Sequence, residues 1–85
     1  MKRTISGVLE SVDDELILAL SAYPAFHSAH EGYAVLKEEV DELWDQVKLK
    51  QSKRDPEAMQ RECIQIAAMA VRFALEICAY QDAKK

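Results

Sequence analysis

Glutamates at two places in the chain carry the spacing of a cation site. Glu38, Glu39 and Glu42 lie in the run YAVLKEEVDELWDQVKLK, Tyr33 to Lys50. Tyr33, Leu36, Val40, Leu43 and Val47 recur there at steps of three and four, which on an α-helix makes one apolar stripe. At roughly 100° per residue, Glu39 falls about 60° from the centre of that stripe and Glu42 about 120°, with Glu38 further toward solvent. Glu39 is therefore expected at the margin of the buried face, with Glu42 one turn along on the same side. Later in the chain, Glu62, Gln65, Arg72 and Glu76 interrupt an apolar segment. Relative to Ile66 they fall about 40° to 120° to one side, so they share one edge. Antiparallel packing of the two segments, favoured by a short connection, would bring Glu39, Glu42, Glu62 and Gln65 to one pocket. Clustered carboxylates repel unless a cation sits among them, and hard oxygen ligands suit Mg²⁺ or Mn²⁺. The plainer alternative is a solvated acidic helix face, with Glu62 serving the helix dipole and Gln65 an interface amide.

Three helices must position these groups. The first is expected from about Ser6 to Ala22, with Ile5, Val8, Leu9, Val12, Leu16, Ala19 and Leu20 on one side. Pro24 ends it, because the residue before a proline is pushed out of helical geometry. Tyr23 to His27 is then a turn with two aromatics to bury. Ser28 and Glu31 have the spacing of a capping box and open the second helix. Gly32 inside its first turns costs about 1 kcal/mol relative to Ala and points to a close backbone approach. Asp55 and Pro56 suit the N-cap and first position of a third helix, running to about Gln81. That helix is apolar on nearly every side, which requires packing on more than one side. Three helices in one subunit can hardly supply it, so the third helix, with the first, is expected at a subunit interface. The tail, residues 82–85, is expected to fray.

Eighty-five residues make one small domain, 1–85, and 49% apolar with 31% charged residues is the composition of a folded chain. A net charge of −4 argues against a general nucleic-acid surface. Cys63 and Cys78 on one helix would stand about 22 Å apart, beyond disulfide reach. They are expected to be buried thiols in a reducing compartment. With no apolar run behind the basic N-terminal residues and no convincing membrane span, a cytoplasmic protein is expected. No Gly-rich phosphate loop, Cys-x-x-Cys or Ser/His/Asp pattern is present.

Glu38-Glu39-x-x-Glu42, followed after nineteen residues by Glu62 with a polar residue three further on, resembles a known signature. It is the E-E-x-x-E … E-x-x-D pattern of the MazG-like, all-α nucleoside triphosphate pyrophosphohydrolases. The resemblance covers about Ser28 to Phe73, and HEGYAVLKEEVDELWDQVK is similar to short bacterial and phage members. It implies a helical subunit assembling as a dimer or dimer of dimers. It also implies Mg²⁺-dependent cleavage of a nucleoside triphosphate to the monophosphate and pyrophosphate. Carried over by position, Glu39, Glu42 and Glu62 are metal ligands, and Glu38 orients or deprotonates the attacking water. Gln65 departs from the family aspartate: its amide oxygen can bind a hard cation but brings no charge.

Other residues carry two readings each. Trp44 packs, or stacks on a base across a dimer; Tyr33 and Phe26 suit the core. His27 and His30 are three apart, but nothing supplies further zinc ligands; a turn or capping role competes with nucleotide contact. Lys48, Lys50, Lys53 and Arg54 either meet phosphates from a neighbouring subunit or form a solvated helix end. Arg72 needs an anion, and Glu76 at i+4 is its simplest partner. The expected function is a triphosphate pyrophosphohydrolase, against a nucleotide- or protein-binding domain weakened by Gln65, and against an oligomerisation module without a ligand.

Overall fold

The computed structural model describes residues 3–79, which fold into three helices. The first, α1, spans Ile5–Ala22, the second, α2, Ala29–Val47, and the third, α3, Pro56–Phe73. A π-helical turn, Ala74–Cys78, prolongs α3, and a short 3-10 turn, Gln51–Lys53, lies in the second connection. The expected fraying of residues 82–85 and the helix end at Gln81 lie outside the described residues. Among the described residues no helix is long and apolar enough to cross a membrane.

The ends follow local chemistry. Thr4 caps α1 one residue earlier than the apolar pattern indicates, its Oγ1 accepting from the Gly7 N–H at 3.0 Å. Tyr23 turns extended ahead of Pro24 and stops the helix. Ser28 caps α2 through the Glu31 N–H at 3.1 Å. The reciprocal bond differs from a capping box: the Glu31 carboxylate accepts from the His27 N–H at 2.9 Å, one residue before the cap. Asp55 caps α3 through the Glu57 N–H, with Pro56 in the first turn.

The longest helix run is central. Helix α3 packs against both α1 and α2, and α1 and α2 flank it with a groove between them. The core is small: Ala19, Phe26, Ala68 and Met69, with Val12, Leu16, Val35, Leu36, Phe73 and Ile77 packed around it. Gly32 lets α2 approach closely, since a Cβ there would stand 2.6 Å from Phe73 Cδ2 and 3.1 Å from Phe26 Cδ2.

Two expectations are corrected here. The apolar stripe of α2 is buried only in part: Leu36, Leu43 and Val47 face inward, but Tyr33 and Val40 do not. Tyr33 is 61% exposed and Val40 44%. The inward line is Gly32, Val35, Leu36, Glu39, Leu43, Gln46 and Val47. The reason is the glycine: contact at Gly32 turns α2 so that Glu39 lies in the middle of the inward face. On α1, Ile5, Leu9 and Leu20 are likewise exposed. Cys63 and Cys78, expected as buried thiols, are both exposed. They belong to the outer edge of α3, with Val71 and Leu75, which α1 and α2 leave uncovered.

Candidate metal centre

The inward rotation of α2 aims Glu39 at α3, where Glu62 stands in the second turn beyond the Asp55 cap. Glu42 follows one turn later on α2 and stays exposed. One carboxylate oxygen from each of Glu39, Glu42 and Glu62 can be chosen so that all lie within 4.8 Å of one another. Among the described residues these are the His, Cys, Asp or Glu side chains that meet in this way.

The electrostatics are those of a site short of positive charge. Burial pushes the Glu39 carboxyl up from 4.5 to about 7, helped by Glu42, then Glu62 and Glu38. Burial also raises Glu62, again with Glu42 beside it, while Arg61 opposes the shift. The Oε2 of Glu62 is buried and has no hydrogen-bond partner. An orphaned carboxylate oxygen costs free energy in a folded protein. Oxygens bound to one hard cation at about 2.1–2.5 Å stand at most about 4–5 Å apart. The spacing of the three carboxylates therefore suits one divalent ion.

The remaining predicted site residues are distributed unevenly. Glu38 is exposed and contributes to raising Glu39. Gln65 shares a cavity wall with Glu39. Trp44 is 59% exposed on the outward side of α2. Lys48 pairs with Asp45 at 3.0 Å, and Arg54 donates to the Val47 carbonyl at 2.9 Å. Lys53 is exposed in the 3-10 turn. His30, exposed in the first turn of α2, lies by Tyr33 and Phe73. Within one subunit none of these five lines the cavity that holds Glu39 and Gln65.

That cavity measures about 500 Å³ and opens between α1 and α2 over α3. Its floor is apolar, with Ala19, Val35 and Met69. Its far wall is the Tyr23–His27 turn, held by Arg72. The Arg72 guanidinium donates to the Glu76 carboxylate at 3.1 and 3.2 Å and to the Pro24 carbonyl at 2.7 Å. It also lies 3.9 Å from the centroid of the Phe26 ring. Glu76 in turn accepts from the Phe26 N–H at 2.8 Å. The sequence points to the Arg72–Glu76 pair but not to what it fastens.

Glu15, Tyr23, His27 and Glu31 also line the cavity; of these, sequence reasoning offers only His27, as a nucleotide contact competing with a turn or capping role. The one local signal is the i,i+4 pair of His27 and Glu31, 3.1 Å apart. The backbone and side-chain hydrogen bonds from His27 hold the Glu31 carboxyl below its usual range.

A scan of family models, a search of curated proteins and a search of solved structures each return no match to this chain.

Proposed function

We propose that the chain is a divalent-metal-dependent nucleoside or deoxynucleoside triphosphate pyrophosphohydrolase of the MazG-like type. The observation that carries this reading is the meeting of Glu39, Glu42 and Glu62 from two helices, with one buried carboxylate oxygen of Glu62 left without a hydrogen-bond partner. These residues are also the ones that the resemblance to the E-E-x-x-E … E-x-x-D signature assigns as ligands. Neither feature would carry the reading alone.

In this reading Glu39, Glu42 and Glu62 hold Mg²⁺ or Mn²⁺. A bound divalent cation supplies neutralisation of the phosphates and a bound water of lowered pKa. The protein's own part is to present three oxygens at fixed spacing from two packed helices and to leave the solvent side of Glu42 open for phosphates. Glu38, exposed one residue before Glu39, orients the attacking water or takes its proton. Attack at the α-phosphorus gives the monophosphate and pyrophosphate.

The subunit is proposed to work as a homodimer or dimer of dimers, without a nucleic-acid polymer or membrane partner. The support is the exposed apolar surface. Ile5, Leu9, Ile17 and Leu18 on α1 and Val71 and Leu75 at the end of α3 are 40% exposed or more. Such a surface is costly in water and is typical of an interaction face. A neighbouring copy is also the source from which Lys53, Arg54, Trp44 or His30 would reach a substrate.

Gln65 favours a second reading, a nucleotide-binding domain without turnover. An amide in place of a carboxylate removes one negative charge from the site. Pyrophosphate release from a panel of NTPs and dNTPs with Mg²⁺ or Mn²⁺ tests the first reading, with Glu39→Ala as control. Release lost in the control supports the enzyme. Metal binding without release from any substrate favours the second reading, and Gln65→Asp then tests whether the amide is responsible.

A further inference from the structure

The cavity beside the carboxylates has a chemistry of its own. Glu39 belongs to both places, so a ligand held at the metal centre extends naturally into the cavity. Its volume of about 500 Å³ falls in the lower half of the ~300–1,000 Å³ range of small-molecule sites. The floor of Ala19, Val35 and Met69 suits a flat apolar face. Tyr23 stands on the lip, 64% exposed, an aromatic ring free to stack on an occupant.

The charges of the lining are one-sided. Its cation, Arg72, is spent on Glu76, the Pro24 carbonyl and the Phe26 ring. His27 is paired with Glu31. The ion pairs of the described residues are His27–Glu31, Lys37–Asp41, Lys48–Asp45 and Arg72–Glu76. Glu15 therefore lines the cavity with no ion pair among the described residues. A phosphate would be repelled here, and a carboxylate is an acceptor only. Gln65, whose amide both donates and accepts, lines the cavity beside Glu39.

We infer that this cavity holds the base of the nucleotide whose phosphates the carboxylates take, and that it prefers an amino-substituted base to its keto counterpart. The inference rests on the nucleotide reading and deepens it by naming the substrate class. The Glu15 carboxylate accepts from the exocyclic amine, the Gln65 amide pairs with the ring-nitrogen edge, and Tyr23 covers one face of the ring. A keto oxygen in place of the amine would set lone pairs against the Glu15 carboxylate, so cytosine is favoured over uracil and adenine over hypoxanthine.

Nucleosides test this without metal or phosphate. The wild-type protein is titrated with cytidine against uridine and with adenosine against inosine, followed by amide chemical shifts. The expected result is binding roughly tenfold tighter for the amino member of each pair, with shifts at Ala19, Tyr23 and Met69. Glu15→Gln should narrow the difference, because an amide can serve either base edge. Equal affinities, tighter binding of the keto members, no binding at millimolar concentration or shifts confined to other residues would each overturn the inference. Amino discrimination in a protein that cleaves no triphosphate would leave the subsite standing and remove the hydrolase reading. Pyrophosphate release that is indifferent to the amine would do the opposite.

Discussion

Helix α3 carries two acidic sites that differ in one respect. At its C-terminal end, Glu76 lies largely out of water beside Arg72 and is matched: its two oxygens share the Arg72 Nε–H, and one accepts from the Phe26 N–H. At its N-terminal end, Glu62 meets Glu39 and Glu42, like charges without a guanidinium between them, and its Oε2 is buried without a hydrogen-bond partner. Both ends draw carboxylates partly out of water, Glu42 excepted. The first recovers the desolvation cost within the subunit and fastens the α1–α2 turn. The second leaves the cost standing, as expected where a ligand completes the charge balance. Under the proposed reading, the first end is structural and the second is completed by a cation.

The largest expected effect comes from breaking the satisfied end. Arg72→Leu strands Glu76, whose side chain is 11% exposed, and frees Pro24 and Phe26. Breaking a buried pair by removing one partner costs about 3–5 kcal/mol. A domain this small should lose most of its cooperative unfolding transition, which thermal denaturation followed by circular dichroism will read. The unsatisfied end should respond in the opposite direction. Glu39→Gln with Glu62→Gln removes repulsion and is expected to raise stability in metal-free buffer by on the order of 1 kcal/mol, water screening these carboxylates in part. A lower melting temperature than wild type would contradict a repulsive cluster.

The same contrast has a pH signature. Glu39 titrates near 7 in the folded chain and near 4.5 when exposed, so the native state binds the extra proton. Stability is then greatest at and below about 4.5 and falls as pH rises toward about 7, with Glu62 adding in the same direction. The double variant should flatten this slope. Metal favours the ionised form, so added Mg²⁺ should stabilise progressively more across that window. Denaturant melts at pH 5 and pH 8, with and without Mg²⁺, give both comparisons. The smallest effect is expected at Gly32→Ala. The added Cβ would crowd Phe73 at 2.6 Å, and overpacking costs about 1–3 kcal/mol against a helix-propensity gain of about 1 kcal/mol. A net loss near 1 kcal/mol in chemical denaturation is expected.

Local signals in the sequence account for much of the fold. Pro24, Ser28 and the Asp55–Pro56 pair mark helix ends because each acts on its own backbone neighbours. Arg72 and Glu76 pair because four residues make one turn. The rotation of α2 is not legible from its own apolar stripe: Tyr33 and Val40 belong to the stripe, yet the contact of Gly32 with Phe73 turns them outward and Glu39 inward. Gly32 signals a close approach without naming the partner. The exposed cysteines escape for a related reason, since an apolar edge reads the same whether it is covered within the subunit or lies open. The cavity depends on Glu15, Tyr23 and Gln65, which only the packing of α1 and α2 against α3 brings together.

The most direct test of the contrast between the two ends is a Mn²⁺ titration of ¹⁵N-labelled protein, with paramagnetic broadening read residue by residue. The account predicts that amides around Glu39, Glu42 and Glu62 broaden first, at low Mn²⁺, while those around Arg72 and Glu76 stay sharp. Glu39→Gln with Glu62→Gln should remove the effect. Broadening spread evenly over exposed acids such as Glu10, Asp13 and Asp14, or unchanged in the double variant, would contradict it.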